Sequence, residues 1–226
     1  MGIDAFGVET LKLINELHPK NYVVLMRHSA RHYGNVENDE SMELTEEGKQ
    51  KSVEFGEALP SGSNIRFFSS PVQRCVETST LIEKGFLSKG GKAQSNVVMD
   101  LLHPFFVKDM PEIMSMAYKF VIAGEYPAFF RNWFDGKISP NLIDEASQSA
   151  QRLLDALLDL MKEPSDVVGN FCVTHDWHLV LLKEYYLGQK AEDYGAIDYL
   201  EGVIIYEKGE SYHITNYQDQ PILLKV

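Results

Sequence analysis

Hydrophobic and polar positions along this chain follow two periods in turn. Residues 22–26, Tyr-Val-Val-Leu-Met, form an unbroken apolar run of the kind expected of a parallel strand buried on both faces. Ile65 to Phe68 and Val167 to Thr174 read the same way, and Asn96 to Met99 as a shorter strand. Helical spacing fills the intervals. Residues 4–17 place Phe6, Leu11, Leu13, Ile14 and Leu17 on one side and stop at His18-Pro19, because proline disfavours helix in the residue before it. Thr45 is set to cap a helix running through Val53, Phe55 and Leu59, with Glu46 and Glu47 at its positive end. Ser70 is the expected cap of another, with Pro71 as its first residue, Arg74 in its opening turn and its end near Phe86. Ala146 to Met161 carries Leu153, Leu154, Leu157, Leu158 and Met161 along one side, and a helix over 176–187 follows the strand that ends at Thr174. Val203 to Tyr206 and Tyr212 to Thr215, either side of Lys208-Gly209, predict a terminal hairpin.

Strands alternating with helices predict an α/β architecture, a mostly parallel sheet covered on both faces. Repeats, low-complexity tracts and linkers are absent from the sequence, so residues 1–226 read as one domain. Residues 101–145 interrupt the alternation. They are dense in Phe, Met, Tyr and Trp, are broken at Pro104, Pro111, Gly124, Pro127 and Gly136, and read as helical pieces inserted between regular units.

Composition adds constraints. With 44% hydrophobic and 24% charged residues, the chain is an ordinary globular sequence. Its formal charge of −12 argues against general affinity for nucleic acid or anionic membrane, so any cationic site must be local. No stretch approaches the roughly 20 apolar residues of a membrane span, and no opening segment has signal-peptide character, so a cytoplasmic location is expected. Cys75 and Cys172 are expected to be free thiols.

Chemistry gathers where strands end. Met26 runs into Arg27-His28, with Arg31 beyond; Phe68 runs into Ser69-Ser70 and then Arg74; Val173 runs into Thr174-His175-Asp176. In open α/β sheets the ligand crevice lies beyond the carboxyl ends of the strands, so these separated pieces should converge. Three arginines and two histidines around one crevice suit a compact, highly charged anion, and the guanidinium fork matches phosphate oxygens in pairs. Charge-assisted hydrogen bonds contribute about 1.5 to 3 kcal/mol each, so three or four suffice to hold a phosphoryl group against its hydration. A histidine among arginines is disfavoured as imidazolium and is therefore a competent neutral nucleophile near pH 7. His28, central in its cluster, is assigned the attack.

These residues resemble the histidine phosphatase superfamily, also called phosphoglycerate mutase-like. Arg27-His28-Ser29-Ala30-Arg31 looks like its Arg-His-Gly motif, Leu44-Thr45-Glu46-Glu47-Gly48 with Gln50 its Leu-Thr-x-x-Gly helix start, Ser70-Pro71-Val72-Gln73-Arg74 its Ser-Pro-x-x-Arg element, and Val173-Thr174-His175-Asp176 its second histidine. The resemblance implies a three-layer α/β/α sandwich, with the helical insertion at about 101–145 lying over the crevice. It implies a phosphohistidine on His28, a phosphoryl group held by Arg27, Arg31, Arg74 and His175, and no metal or other cofactor. Arg31 and the pair His175-Asp176 look more like the acid-phosphatase branch, in which the aspartate protonates the leaving oxygen; that role falls to Asp176. Asp100 is the alternative acid, since the mutase-like branch carries a glutamate after the third strand.

The expected activity is hydrolysis of phosphoric monoesters, on a small phosphorylated substrate or a phosphoprotein. Rivals are a mutase-like phosphotransferase and a non-catalytic phosphate-binding module. His175 and His178 are also spaced as a zinc pair, though nearby arginines would repel the cation. His32, His103 and His213 read as ordinary polar residues. The aromatic residues of the insertion read as its core, with an apolar wall for the organic part of a substrate as the alternative. Ser29 replaces the family's usual glycine, and the motifs name neither the alcohol nor the oligomeric state.

Overall fold

The computed structural model describes residues 4–32, 41–162, 166 and 168–225. Its sheet has seven strands in the order β3-β2-β4-β1-β5-β6-β7. The central strand β1 (Tyr22–Arg27) pairs in parallel with β4 (Gly169–Thr174), β4 with β2 (Asn64–Ser69), and β2 with the edge strand β3 (Lys92–Val98). On its other side β1 meets β5 (Gly202–Lys208) antiparallel, and β6 (Ser211–Asn216) and β7 (Asp219–Leu223) continue antiparallel to the far edge.

Side chains of β1 alternate between two helical layers, which is why its sequence is apolar throughout. Tyr22, Val24 and Met26 face the cores of α1 (Val8–Leu17), α2 (Glu46–Glu57) and α3 (Gln73–Ser88), meeting Ile14, Phe55, Ile82 and Phe86. Val23 and Leu25 face the opposite layer, built mainly on α6 (Ala146–Lys162) and α7 (Asp176–Tyr186). Each such buried side chain contributes about 1.5 to 3 kcal/mol relative to exposure. A strand gripped on both faces delivers Arg27 and His28 at a fixed depth on the sheet rim. The expected α/β sandwich is what forms.

Boundaries differ from expectation where apolar content misleads. Ser70 does not cap α3 and Pro71 does not begin it; the helix starts at Gln73, after an extended Val72 (φ −68°, ψ 131°), and runs on to Ser88. Strand β3 begins at Lys92 rather than Asn96, because an edge strand presents polar residues to solvent. Strand β7 was not expected at all; it contains Pro221, which only an edge strand accommodates readily. Strand β4 begins at Gly169, and Val167 lies outside the described residues. The N-terminal helix starts at Val8, preceded by a 3-10 turn over Ala5–Gly7.

The segment 101–145 carries two helices, α4 (Met110–Ile122) and α5 (Tyr126–Phe134). An antiparallel bridge between Val107 and Ile143 closes its base. Its aromatic side chains stack on α7: the Phe129 and Trp177 ring centroids are 5.2 Å apart, and Phe106 sits 4.8 Å from Trp133. The insertion is thus fastened to the helix that begins with Asp176.

One buried ion pair links helix α7 to the rim. Lys183 Nζ lies 2.8 Å from Glu201 Oε1, with side chains 3% and 2% exposed. Glu201 Oε2 accepts from the Asp198 N–H at 2.9 Å, and the Glu201 carbonyl accepts from the Arg27 N–H at 3.0 Å. Removing one member leaves an uncompensated buried charge, at a cost of about 3 to 5 kcal/mol. Lys183→Met should therefore lower unfolding free energy in urea by about that amount; a loss below about 1 kcal/mol would mean that the pair is not important to folding.

Candidate active site

Three strands end together. Beyond β1 the His28 N–H donates to the Thr174 carbonyl at 2.9 Å, and beyond β2 the Ser70 N–H donates to the Val173 carbonyl at 2.9 Å. The ladder therefore continues one residue past each strand, placing His28, Ser70 and His175 on one rim. Arg74, the second residue of α3, joins them from above.

His28 is almost fully buried, and its Nδ1 lies 2.8 Å from the Ser29 carbonyl oxygen. A carbonyl can only accept, so the ring proton sits on Nδ1 and the lone pair on Nε2. Arg74 Nε donates to that Nε2 at 3.1 Å, while Arg74 Nη2 donates to His175 Nδ1 at 3.2 Å. The proton of His175 then resides on Nε2, 3.0 Å from the Ser70 hydroxyl. The two imidazoles meet edge to face with centroids 5.7 Å apart.

Ser29 now has a physical account. Its hydroxyl donates to the Gly48 carbonyl at 2.8 Å, and its N–H donates to Thr78 Oγ1 at 3.1 Å. The side chain thus finds a buried acceptor and ties the loop after His28 to α2. Thr45 caps α2 as expected, accepting from the Gly48 N–H at 3.0 Å, and the Thr45 N–H reaches the Ala30 carbonyl at 2.9 Å. Gly48 is required by this closeness, since a Cβ there would lie 2.2 Å from the Ala30 oxygen.

Arg27 Nη1 donates to the Ile197 carbonyl at 2.5 Å, and its guanidinium lies 4.5 Å from the Tyr199 ring centroid. Tyr199 also approaches His28, at 6.0 Å between centroids. Arg31 forms a bridge with Leu44 and adds its charge to the field at His28. Asp176 is the first residue of α7, half-buried, with Oδ1 accepting from the Trp177 N–H at 3.1 Å. Asp100 is exposed and opens a 3-10 turn. His103, in contrast, brings its ring to within 6.2 Å of His175. His178 is fully buried, with Nε2 at 3.2 and 3.1 Å from the Leu101 and His103 carbonyls and Nδ1 at 3.0 Å from Thr174 Oγ1. Both its nitrogens are engaged by protein, so the spacing of His175 and His178 reflects anchoring of the 101–103 segment rather than a zinc pair. No cluster of three or more metal-ligating side chains occurs among the described residues.

Sequence reasoning overlooked Ser70 as a partner of His175 and Tyr199 as a partner of Arg27. Ser70 sat inside a legible motif and was read as a helix cap instead. Tyr199 had no local signal, being brought 172 positions along the chain to Arg27 only by the rim.

Burial, reinforced by the charges of Arg27 and Arg74, holds His28 well below the usual imidazole range. Burial and then Arg74 do the same for His175. Burial also pushes the Cys75 thiol up to about 12, so this residue, 3.7 Å from His175, is no thiolate nucleophile. The cluster is thus a neutral imidazole whose Nε2 accepts from Arg74, in the field of three guanidinium groups.

The family model of the histidine phosphatase superfamily (branch 1) matches residues 23–220. The chain belongs to that superfamily. The match spans every one of the four motifs and all seven strands apart from parts of β1 and β7. A search of curated proteins found no match. Among solved structures, mycobacterial glucosyl-3-phosphoglycerate phosphatase in complex with inorganic phosphate is similar at 15% identity and a TM-score of 0.55, covering 88% of this chain and 100% of that one. A protein named mycobacterial hydrolase 1 gives 15% identity and a TM-score of 0.53 over 90% and 96% of the two chains. Phosphoglycerate mutase from Bacillus anthracis gives 14% and 0.53 over 88% and 94%. At these identities the likeness concerns the fold.

The buried histidines set the acid stability of the superfamily member described here. Unfolded imidazoles protonate near pH 6.5, whereas folded His28 and His175 stay neutral and His178 is pushed down by burial to about 3. Stability present above that pH is lost on acidification. Buried Asp4, raised by burial to about 6, opposes them, because it holds a proton when folded that it releases when unfolded. A net uptake of about two protons on unfolding gives a slope of about 3 kcal/mol per pH unit. Thermal melting should therefore fall steeply between about pH 6.5 and 5; a flat profile there would contradict the neutral folded histidines.

Proposed function

We propose that this protein is a phosphatase that hydrolyses phosphoric monoesters through a phosphohistidine on His28. The observation that carries the reading is the fixed tautomer: Nδ1 is held at the Ser29 carbonyl and Nε2 faces Arg74. Membership of the histidine phosphatase superfamily supports it.

Arg74 exchanges its hydrogen bonds with the two imidazoles for bonds to phosphate oxygens, and Arg27 and Arg31 add positive charge. His175, held by Ser70, supports the same group. Nε2 of His28 attacks phosphorus as the bond to the ester oxygen breaks, and Asp176 gives the leaving oxygen its proton. In the second half a water attacks the phosphohistidine, its proton passes to the Asp176 carboxylate, and inorganic phosphate and free His28 result. Asp176 is favoured over Asp100 as the acid because it adjoins His175 directly, at the start of α7. In this reading the insertion at 101–145 covers the crevice and belongs to the same single domain.

Replacing His28 with Ala should abolish both turnover and acid-labile labelling by a phosphorylated substrate, a loss of at least about 1000-fold in kcat. A variant as active as the parent would overturn the mechanism. Incubation with a phosphoglycerate separates hydrolysis from mutase chemistry, since the phosphatase reading requires release of free phosphate.

Acidity gives a second test. An ordinary carboxylic acid is protonated about one time in a thousand at pH 7, a deficit of roughly 4 kcal/mol that shrinks in acid. His28, kept neutral far below its usual range, remains nucleophilic there. Turnover of an alkyl phosphate, a poor leaving group, should be faster at about pH 5.5 than at 7.5; an alkaline optimum on that substrate would remove Asp176 from the role of acid.

A further inference from the structure

A second concavity lies beside the cationic cluster. It is a cleft of about 410 Å³, open solvent at its mouth included, lined by Tyr126, Pro127 and Phe130 of α5, Val180 of α7, and Ala196 and Ile197, with Asp176 on its wall. Two pieces of backbone are shared with the phosphate cluster. Asp176 directly follows His175, and the Ile197 carbonyl accepts from Arg27 Nη1 at 2.5 Å. The wall is also preformed: Trp177 Nε1 donates to the Tyr126 hydroxyl at 2.7 Å, and the Tyr126 and Phe130 rings pack edge to face at 5.0 Å.

We infer that this cleft binds the organic part of the phosphate monoester, and that it selects an apolar group, a single aromatic ring or short alkyl chain, over an anionic one. The inference rests on the phosphatase reading for the position of the phosphoryl group. Continuity with the cationic cluster identifies the occupant: an ester anchored by phosphate at Arg74 and His175 has its leaving oxygen at Asp176 and its carbon skeleton beyond it. The lining identifies the chemistry. Aromatic and aliphatic walls gain from burying apolar surface, while the carboxylate of Asp176 repels a second negative charge and accepts from a hydroxyl or ammonium. The same residue therefore stands where the proton is delivered and where a carboxylate-bearing alcohol such as phosphoglycerate is disfavoured.

Binding of non-hydrolysable phosphonates to the intact protein, followed by calorimetry, tests this without requiring turnover. Benzylphosphonate should bind about tenfold more tightly than methylphosphonate, and phosphonoacetate no more tightly than methylphosphonate. Ala196→Phe, at an exposed position, should fill the cleft and reduce the benzyl advantage to within about twofold. Equal affinities for benzyl- and methylphosphonate in the parent, or tightest binding of phosphonoacetate, would overturn the inference. The parent comparison stands even if the variant misfolds. An aryl advantage with no hydrolysis of any ester would sink the phosphatase reading and keep the cleft, whereas hydrolysis with no aryl advantage would sink the cleft alone.

Discussion

The hydrogen bond between His28 Nδ1 and the carbonyl of its own neighbour, 2.8 Å long, is the constraint to which the rest of the site answers. It fixes the tautomer, turns Nε2 toward Arg74 and requires the loop from Ser29 to Ala30 to hold its shape. That shape is enforced from below by Ser29 to the Gly48 carbonyl and from the side by Thr78, while Gly48 allows α2 to lie against Ala30. A side chain on residue 48, or the loss of the Ser29 acceptor, would act on His28 without touching it. Placing an imidazole among three guanidinium groups costs solvation, and burial keeps it neutral rather than charged.

Much of this was legible from sequence because the physics is local or periodic. An apolar run buried on both faces identifies β1, and Thr45 followed by two glutamates identifies the start of α2. Convergence of Arg27-His28, Arg74 and His175 follows from the general behaviour of strand ends in open sheets, and the fold brings those four side chains together. What was not legible depends on edges and distant contacts. Strands β3 and β7 face solvent and lack an apolar signature. Tyr199 reaches Arg27 only because residues 197–201 lie under the rim, held by a Lys183–Glu201 pair that no spacing rule reveals. The helix start at Gln73 rather than Pro71 has a functional counterpart: Ser70, released from capping, turns its hydroxyl to His175.

The serine that stands after His28 in place of the family's usual glycine is instructive for the same reason. In sequence it adds a polar side chain to a buried loop. In three dimensions the hydroxyl has an acceptor 2.8 Å away, so the extra atom satisfies a buried group rather than straining one. A departure from a family pattern becomes interpretable once the partner of the new atom is known.

Asp176 is where the two halves of the site meet. Residues before it belong to the cationic cluster, and those after it to a helix whose Trp177 carries the aromatic stack of the insertion. On the proposed reading, chemistry and selection would share one side chain: the carboxyl assigned to the leaving oxygen also forms part of the wall met by the alcohol. A change in the insertion that moves Trp177 would shift Asp176 with it, and under that reading would alter both roles together. Separate tuning of rate and specificity would then be mechanically difficult, because both assigned roles fall on the first turn of α7.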